Sequence, residues 1–308
     1  MYLIPAPAKL EKKEGRFIWA YDRYVTVDQS CSQLVTRQAS LFCDGAEKEL
    51  GYRPLLTRGA AKAGDVVFKQ DDTMKAQSYV LDITEDAIVL TGDEAGLWHG
   101  MQTLLQIIEQ EGACLSALHI EDAPAIVNRG YYFDCTRRIP KLSWLKQLAD
   151  RMAYYKLNQL QLYVEHSYLF RGMTELWRDD TPLTAEEIME FDRYCAERGI
   201  ELVPSLSSFG HLYKLLCSRE YSHLCELEDS EGKPFSQTGR MAHHTINTSD
   251  PESLQLIEGM ISEYMELFTS RQFNLCADET FDLGRGRNKE AVEKLGKDRV
   301  YILSLIHI

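Results

Sequence analysis

The sequence predicts an α/β protein: about the first half of a (β/α)8 TIM barrel, preceded by a small α+β domain. Three observations predict it. From residue 129 onward, four short apolar segments alternate with four amphipathic ones, the signature of a parallel sheet. Those segments end in Asp134, Glu165, Ser205 and Asp278, and long insertions follow the second and third. Barrels gather their reactive groups at the C-terminal ends of strands. Finally, 308 residues exceed what one core comfortably holds, so two domains are expected, at 1–122 and 123–308.

The first domain carries alternating segments at Ser78–Ile83 and Ala87–Thr91 around a Glu85-Asp86 turn, which predict antiparallel strands. Leu97, Met101, Leu104, Leu105 and Ile108 repeat at helical spacing, and Gly112 suits the stop. His99 within that helix reads as a packed structural histidine.

In the second domain, Arg129–Cys135 is the first strand, followed by a helix marked by Leu145, Leu148, Met152 and Tyr155. Gln159–Glu165 is the second strand. Thr184 and Glu187 form a capping-box pattern opening a helix that stops near Gly199. Ile200–Ser205 is the third strand. Asp250 as N-cap and Pro251 at the first helical position open the next helix. Phe273–Ala277 is the fourth strand, and a further helix starts at Lys289. Residues 129–308 number 180 against the ~250 typical of a barrel, so truncation within the barrel is expected.

Composition narrows the function. A net charge of -13, with the acids spread along the chain, disfavours nucleic acid and anionic lipid as partners. No apolar stretch approaches the ~20 residues of a membrane span, and the first residues lack a secretory pattern. The eight cysteines show no CxxC pairing, so reduced thiols and a cytoplasmic location are expected. No cofactor or metal is called for: His243-His244 has no acidic or cysteine partner at ligand spacing and reads as a loop pair.

The chemistry points to Asp278-Glu279, two adjacent carboxylates directly after an apolar strand. Where the backbone turns at a strand end, neighbouring acids can splay around one bound group. One can orient a substrate group while the other protonates a leaving oxygen, provided burial or its charged neighbour keeps that carboxyl neutral. Trp177, Arg178 and Asp179-Asp180 lie in the long insertion after strand two, where they line either a substrate mouth or a packed loop.

Arg129-Gly130 with Asp134 and Arg137, Gly210-His211 and Ala277-Asp278-Glu279 together resemble the motif series of glycoside hydrolase family 20, the β-N-acetylhexosaminidases. Gly96–Leu105 also resembles the helix of that family's N-terminal domain. The resemblance implies Glu279 as general acid/base and Asp278 as the acid holding the substrate's 2-acetamido group. It implies that His211 positions Glu279 and that Arg129 grips the ring hydroxyls, although a structural salt bridge to Asp134 is a rival reading for Arg129. Glu165-His166 departs from the family's commoner paired aspartates, leaving Glu165 as a supporting or sugar-contacting acid. The family's tryptophan-walled acetamido pocket and its tyrosine would fall beyond Ile308.

The function so implied is exo-acting removal of terminal β-linked N-acetylglucosamine or N-acetylgalactosamine, with retention and through an oxazolinium intermediate. The partner is an oligosaccharide or glycoconjugate ending in an N-acetylhexosamine. Two alternatives stand beside it: a non-catalytic carbohydrate-binding protein, and a double-displacement glycosidase with a protein nucleophile.

Overall fold

The computed structural model describes residues 1–177, 180–234, 236 and 238–307. The chain forms two compact units. One comprises Met1–Gly130 with Gln147–Asn158 and Tyr194–Ile200; the other comprises Tyr131–Lys146, Gln159–Arg193 and the chain from Glu201 on.

The first unit is built on a seven-stranded sheet. Its strands are β1 (Lys9–Ile18), β2 (Tyr24–Val27), β3 (Leu55–Arg58), β4 (Val66–Gln70), β5 (Tyr79–Ile83), β6 (Ile88–Gly92) and β7 (Cys114–Asp122), in the order β1-β7-β5-β6-β4-β2-β3. The expected hairpin is β5–β6, with Tyr79 opposite Gly92 and Ile83 opposite Ile88. The Thr84 N–H closes its turn on the Ala87 carbonyl at 2.9 Å. The sheet is mixed, because β2 runs parallel to β3 and β4, and β4 parallel to β6.

Two helices, Gln33–Leu50 and Glu94–Glu111, pack on each other within this unit. Ser32 and Asp93 cap their starts, each side chain accepting a backbone N–H of the first turn. The second helix lies close to the β5 end because Gly96 has no side chain: a Cβ there would sit 1.8 Å from the Ser78 carbonyl oxygen. Phe17, Trp19, Phe42 and Phe68 form an aromatic chain through the core, with ring centroids 5.3–6.3 Å apart. This unit is not one continuous stretch of sequence. The Gln106 amide donates to the Tyr154 carbonyl at 3.1 Å and the Gln38 amide to the Glu197 carbonyl at 3.3 Å. These bonds tie in the last turns of the helices Leu142–Tyr154 and Ala185–Glu197.

The second unit holds β8 (Gly130–Asp134, from Tyr131 on), β9 (Gln159–Val164) and β10 (Glu201–Leu206), in the order β10-β9-β8. β9 and β10 are parallel and in register from Gln159 opposite Glu201 to Val164 opposite Leu206. Both expected helix starts form. Thr184 and Glu187 exchange backbone and side-chain bonds as a capping box, and Asp250 caps Pro251–Met265. Tyr264 on that helix is fully buried among Tyr168, Phe170 and Phe268.

The fourth strand differs from expectation. Only Asn274 joins the sheet, bridging Ser205 in parallel sense, with bonds of 3.0 and 2.9 Å to Leu206 and Pro204. The ladder stops there because the Asn274 side chain accepts the Cys276 N–H at 3.1 Å and Cys276 turns to φ +45°. No helix among the described residues is long and apolar enough to cross a membrane.

Candidate active site

Four loops of the second unit converge at the C-terminal ends of β8, β9, β10 and the Asn274 segment. After β8, Asp134 accepts the Thr136 N–H at 2.8 Å, and Arg137 folds back to within 3.1 Å of Asp134 Oδ2. After β9 comes Glu165, which is buried and accepts from Arg137 Nη1 at 2.7 Å and from the Tyr163 hydroxyl at 2.9 Å. Its backbone N–H donates to Thr136 Oγ1 at 3.1 Å, so the β8 loop and Glu165 hold each other. Burial pushes the Glu165 carboxyl above its ordinary range, while the Arg137 charge and the Tyr163 hydroxyl pull it back. Beside it, burial lowers His166 to about 4, so this ring is neutral at pH 7.

After β10 the chain passes through Ser207-Ser208-Phe209-Gly210 to His211. Ser208 Oγ donates to the Leu275 carbonyl at 2.6 Å, pinning this loop to the segment that leads into Asp278. Gly210 permits the closest approach: a Cβ there would lie 2.5 Å from the Asp278 carbonyl oxygen. No side chain fits that gap.

His211 is buried and left-handed, at φ +58°. Its Nε2 lies 3.0 Å from Glu279 Oε2 and 3.7 Å from Asp278 Oδ2. Its Nδ1 faces Glu165 Oε1 at 3.8 Å. Close contacts therefore run Arg137–Glu165–His211–Glu279, with buried Glu165 and His211 lying between an exposed arginine and an open mouth. Glu279 is itself left-handed at φ +50°. Together with His211 and Cys276 it makes three strained backbone positions in one site, a concentration typical of functional loops.

One expectation about the acid pair changes. The sequence leaves burial or a charged neighbour as the influence on one carboxyl, and burial is not it: the Asp278 side chain is 66% exposed and that of Glu279 46%. In this structure the feature that distinguishes Glu279 from its neighbour is the close contact with a buried histidine. One oxygen from each acid and a His211 ring nitrogen all lie within 4.8 Å of one another, a set whose atoms could also face a cation. The 3.0 Å approach of Nε2 to Glu279 pairs the ring with the acid directly, which suits proton transfer.

The family models decide the ancestry. Residues 1–123 match glycosyl hydrolase family 20, domain 2, and residues 127–300 match the glycosyl hydrolase family 20 catalytic domain. The chain belongs to glycosyl hydrolase family 20. A β-hexosaminidase of Vibrio furnissii is 24% identical over 308 residues, covering 91% of this chain and 49% of that protein. Among solved structures, the Flavobacterium johnsoniae chitobiase superposes with a TM-score of 0.83 at 20% identity, over 98% of this chain and 50% of that one. The family 20 β-N-acetylhexosaminidase of Streptomyces coelicolor gives 0.78 at 23% identity, over 96% and 65%. The chain thus spans between about half and two thirds of the length of these relatives.

Within this family 20 fold, four of the five expected site residues come together: Glu165, His211, Asp278 and Glu279. Arg129 does not. All five of its guanidinium hydrogens are spent inside the first unit. Nε donates to the Lys156 carbonyl at 2.7 Å, and Nη1 to the Ile126 and Val127 carbonyls at 2.7 and 2.8 Å. Nη2 meets Gln77 Oε1 at 2.9 Å and His99 Nε2 at 3.3 Å. Asp134, the rival partner, is paired with Arg137. With no donor left over, Arg129 is corrected to a structural residue, and the arginine of the site is Arg137. A signal for this stood in the sequence, since Arg137 follows the C-terminal end of its strand and Arg129 precedes the N-terminal end.

Arg240, in the insertion after β10, was also missed; its Nη1 lies 3.9 Å from Glu165 Oε1. Of the residues considered for the mouth, Arg178 and Asp179 lie outside the described residues, and Asp180 pairs with Lys214.

Proposed function

We propose that the protein carrying this chain is an exo-acting glycoside hydrolase that removes terminal β-linked N-acetylglucosamine or N-acetylgalactosamine from oligosaccharides or glycoconjugates. The reading rests on one observation: Glu279, exposed at the mouth, contacts buried His211 at 3.0 Å, and His211 is backed by Glu165. Glu279 is the general acid that protonates the glycosidic oxygen and then the base that activates water. Its link to His211 fixes the direction from which the proton arrives. Asp278 shares the mouth but has only the longer 3.7 Å approach to His211, leaving its carboxylate available to a substrate amide.

Retention is favoured over inversion, because inverting enzymes hold their two carboxyls ~6.5–9.5 Å apart, with a water between them. Oxygens of Asp278 and Glu279 lie within 4.8 Å of each other. In the substrate-assisted form, the acetamido carbonyl attacks C1 and Asp278 steadies the resulting oxazolinium. The double-displacement form with Asp278 as nucleophile is the second reading that this spacing admits. The reduced, buried thiols of Cys31, Cys43, Cys135 and Cys276 support a reducing compartment such as the cytoplasm.

The test is turnover of an aryl N-acetyl-β-glucosaminide by the full-length protein. Glu279→Gln should lower kcat by about 10²–10⁴-fold, the usual worth of a positioned acid. Equal rates in the two proteins remove the assignment. An aryl glucoside lacking the acetamido group separates the two forms: no turnover supports the substrate-assisted route, and sustained turnover supports a protein nucleophile.

A further inference from the structure

The histidine pair at 243–244 reads from sequence as an ordinary loop, yet the structure gives its second member a specific task. His244 is fully buried, and its Nδ1 accepts the backbone N–H of His211 at 3.0 Å. Its carbonyl accepts the next N–H, that of Leu212, also at 3.0 Å. Its own N–H donates to Asp282 Oδ2 at 3.2 Å, three residues past Glu279. One residue thus joins the loop that carries His211 to the loop that carries Asp278 and Glu279. The imidazole rings of His211 and His244 stand 5.4 Å apart at 61°.

Two further facts separate this from ordinary loop packing. The bond is made to a residue at φ +58°, a backbone state that a histidine holds only when its surroundings impose it. And His244 Nε2 is buried without a hydrogen-bond partner among the described residues. A buried orphan of this kind costs about 1–3 kcal/mol, so the ring's retention calls for a reason at its other nitrogen. An accepting Nδ1 requires the neutral ring with its proton on Nε2.

We propose that His244 is a positioning residue: by accepting the His211 N–H it holds that backbone left-handed and so sets the contact between His211 and Glu279. This rests on the hydrolase reading above for its kinetic consequence, but not for its geometry. Burial keeps the His244 ring below the ordinary histidine range. The titratable and charged groups facing it are Asp282 and Glu279, which raise it, and His211 and Arg240, which lower it. The ring therefore stays an acceptor at neutral pH.

The experiment uses the full-length protein with His244→Leu, which removes the acceptor, and His244→Asn, whose Oδ1 restores one near the place of Nδ1. On an aryl N-acetyl-β-glucosaminide, His244→Leu should lower kcat by about tenfold to a hundredfold, the effect of a misplacement near 1 Å, and should shift the pH profile of kcat/KM. His244→Asn should recover most of the loss, and KM should change less than about threefold in both. A folded leucine variant with wild-type kcat and pH profile overturns the proposal. So does an asparagine variant as impaired as the leucine one, since ring bulk rather than the acceptor would then matter.

A second readout needs no turnover. In ¹⁵N-histidine-labelled protein, the imidazole signals lost in His244→Asn should be those of a neutral Nε2–H tautomer through neutral pH. An Nδ1–H tautomer would overturn the proposal even if the leucine variant fails to fold. A wild-type protein that shows this tautomer but hydrolyses no N-acetylhexosaminide would sink the hydrolase reading and leave the His244 geometry standing.

Discussion

Gly210→Ala adds one methyl group at the tightest point of the site. Gly210 does not use the left-handed region, so alanine is not barred by its backbone, and any effect arises from the close approach. The new Cβ would stand 2.5 Å from the Asp278 carbonyl oxygen and 3.3 Å from that of Glu279, whereas ordinary contact begins at 3.4 Å. The Asp278 backbone must therefore retreat by roughly 0.9 Å, from 3.4 minus 2.5. Carried to Glu279, that retreat would stretch the 3.0 Å approach to His211 to roughly 3.9 Å, beyond hydrogen-bonding range. Overpacking of this kind costs about 1–3 kcal/mol of stability, and a misplacement near 1 Å costs about a hundredfold in rate. Thermal melts with kcat on an aryl N-acetyl-β-glucosaminide measure both in the full-length protein. A variant that keeps wild-type kcat would refute the claim that this backbone contact sets the catalytic geometry.

Three other outcomes are expected. Arg129→Ala should lower the melting temperature but leave KM of the folded protein unchanged, whereas Arg137→Ala should raise KM or abolish activity; the reverse pattern would restore Arg129 to the site. Glu226→Leu should destabilise by about 3 kcal/mol or more, read as a lower denaturant midpoint. Its buried carboxylate accepts the N–H groups of Gly284, Gly286 and Asn288 and the Asn288 amide, and each orphaned donor costs about 1–3 kcal/mol. Finally, burial lowers His99 from 6.5 to about 4, so the unfolded chain binds the extra proton between those values and stability falls as pH drops through that window. At about 1.4 kcal/mol per pKa unit, the loss approaches 3 kcal/mol near pH 4. Denaturant midpoints at pH 7 and pH 5 should differ less in His99→Gln than in the wild type, and an equal drop in both would discount His99.

Much of the fold was legible because it is written in local patterns. The capping box at Thr184 and Glu187, the Asp250-Pro251 start and the β5–β6 hairpin each combine a periodic apolar face with a specific end signal, and each formed. The fourth strand was over-read. Phe273–Ala277 looks like a continuous apolar run, but Asn274 uses its own side chain to end the ladder. The acid pair was legible for the same local reason, being two charges where a strand should end. Arg129 and Arg137 could not be separated by residue type, only by which end of β8 each occupies. His244 had no pattern to find. Its role depends on a bond to a backbone 33 residues away, and its own sequence neighbourhood is a loop.

The backbone tension at His211, Cys276 and Glu279 bears on attempts to harden this protein against heat. Each left-handed non-glycine residue withholds about 1–3 kcal/mol, so replacements that relax these turns offer ready gains in melting temperature. A screen that rewards survival alone would be drawn to the very turns that aim the acid and its histidine. Thermally robust variants from such a screen should therefore be enriched in silent enzymes, unless turnover is selected alongside.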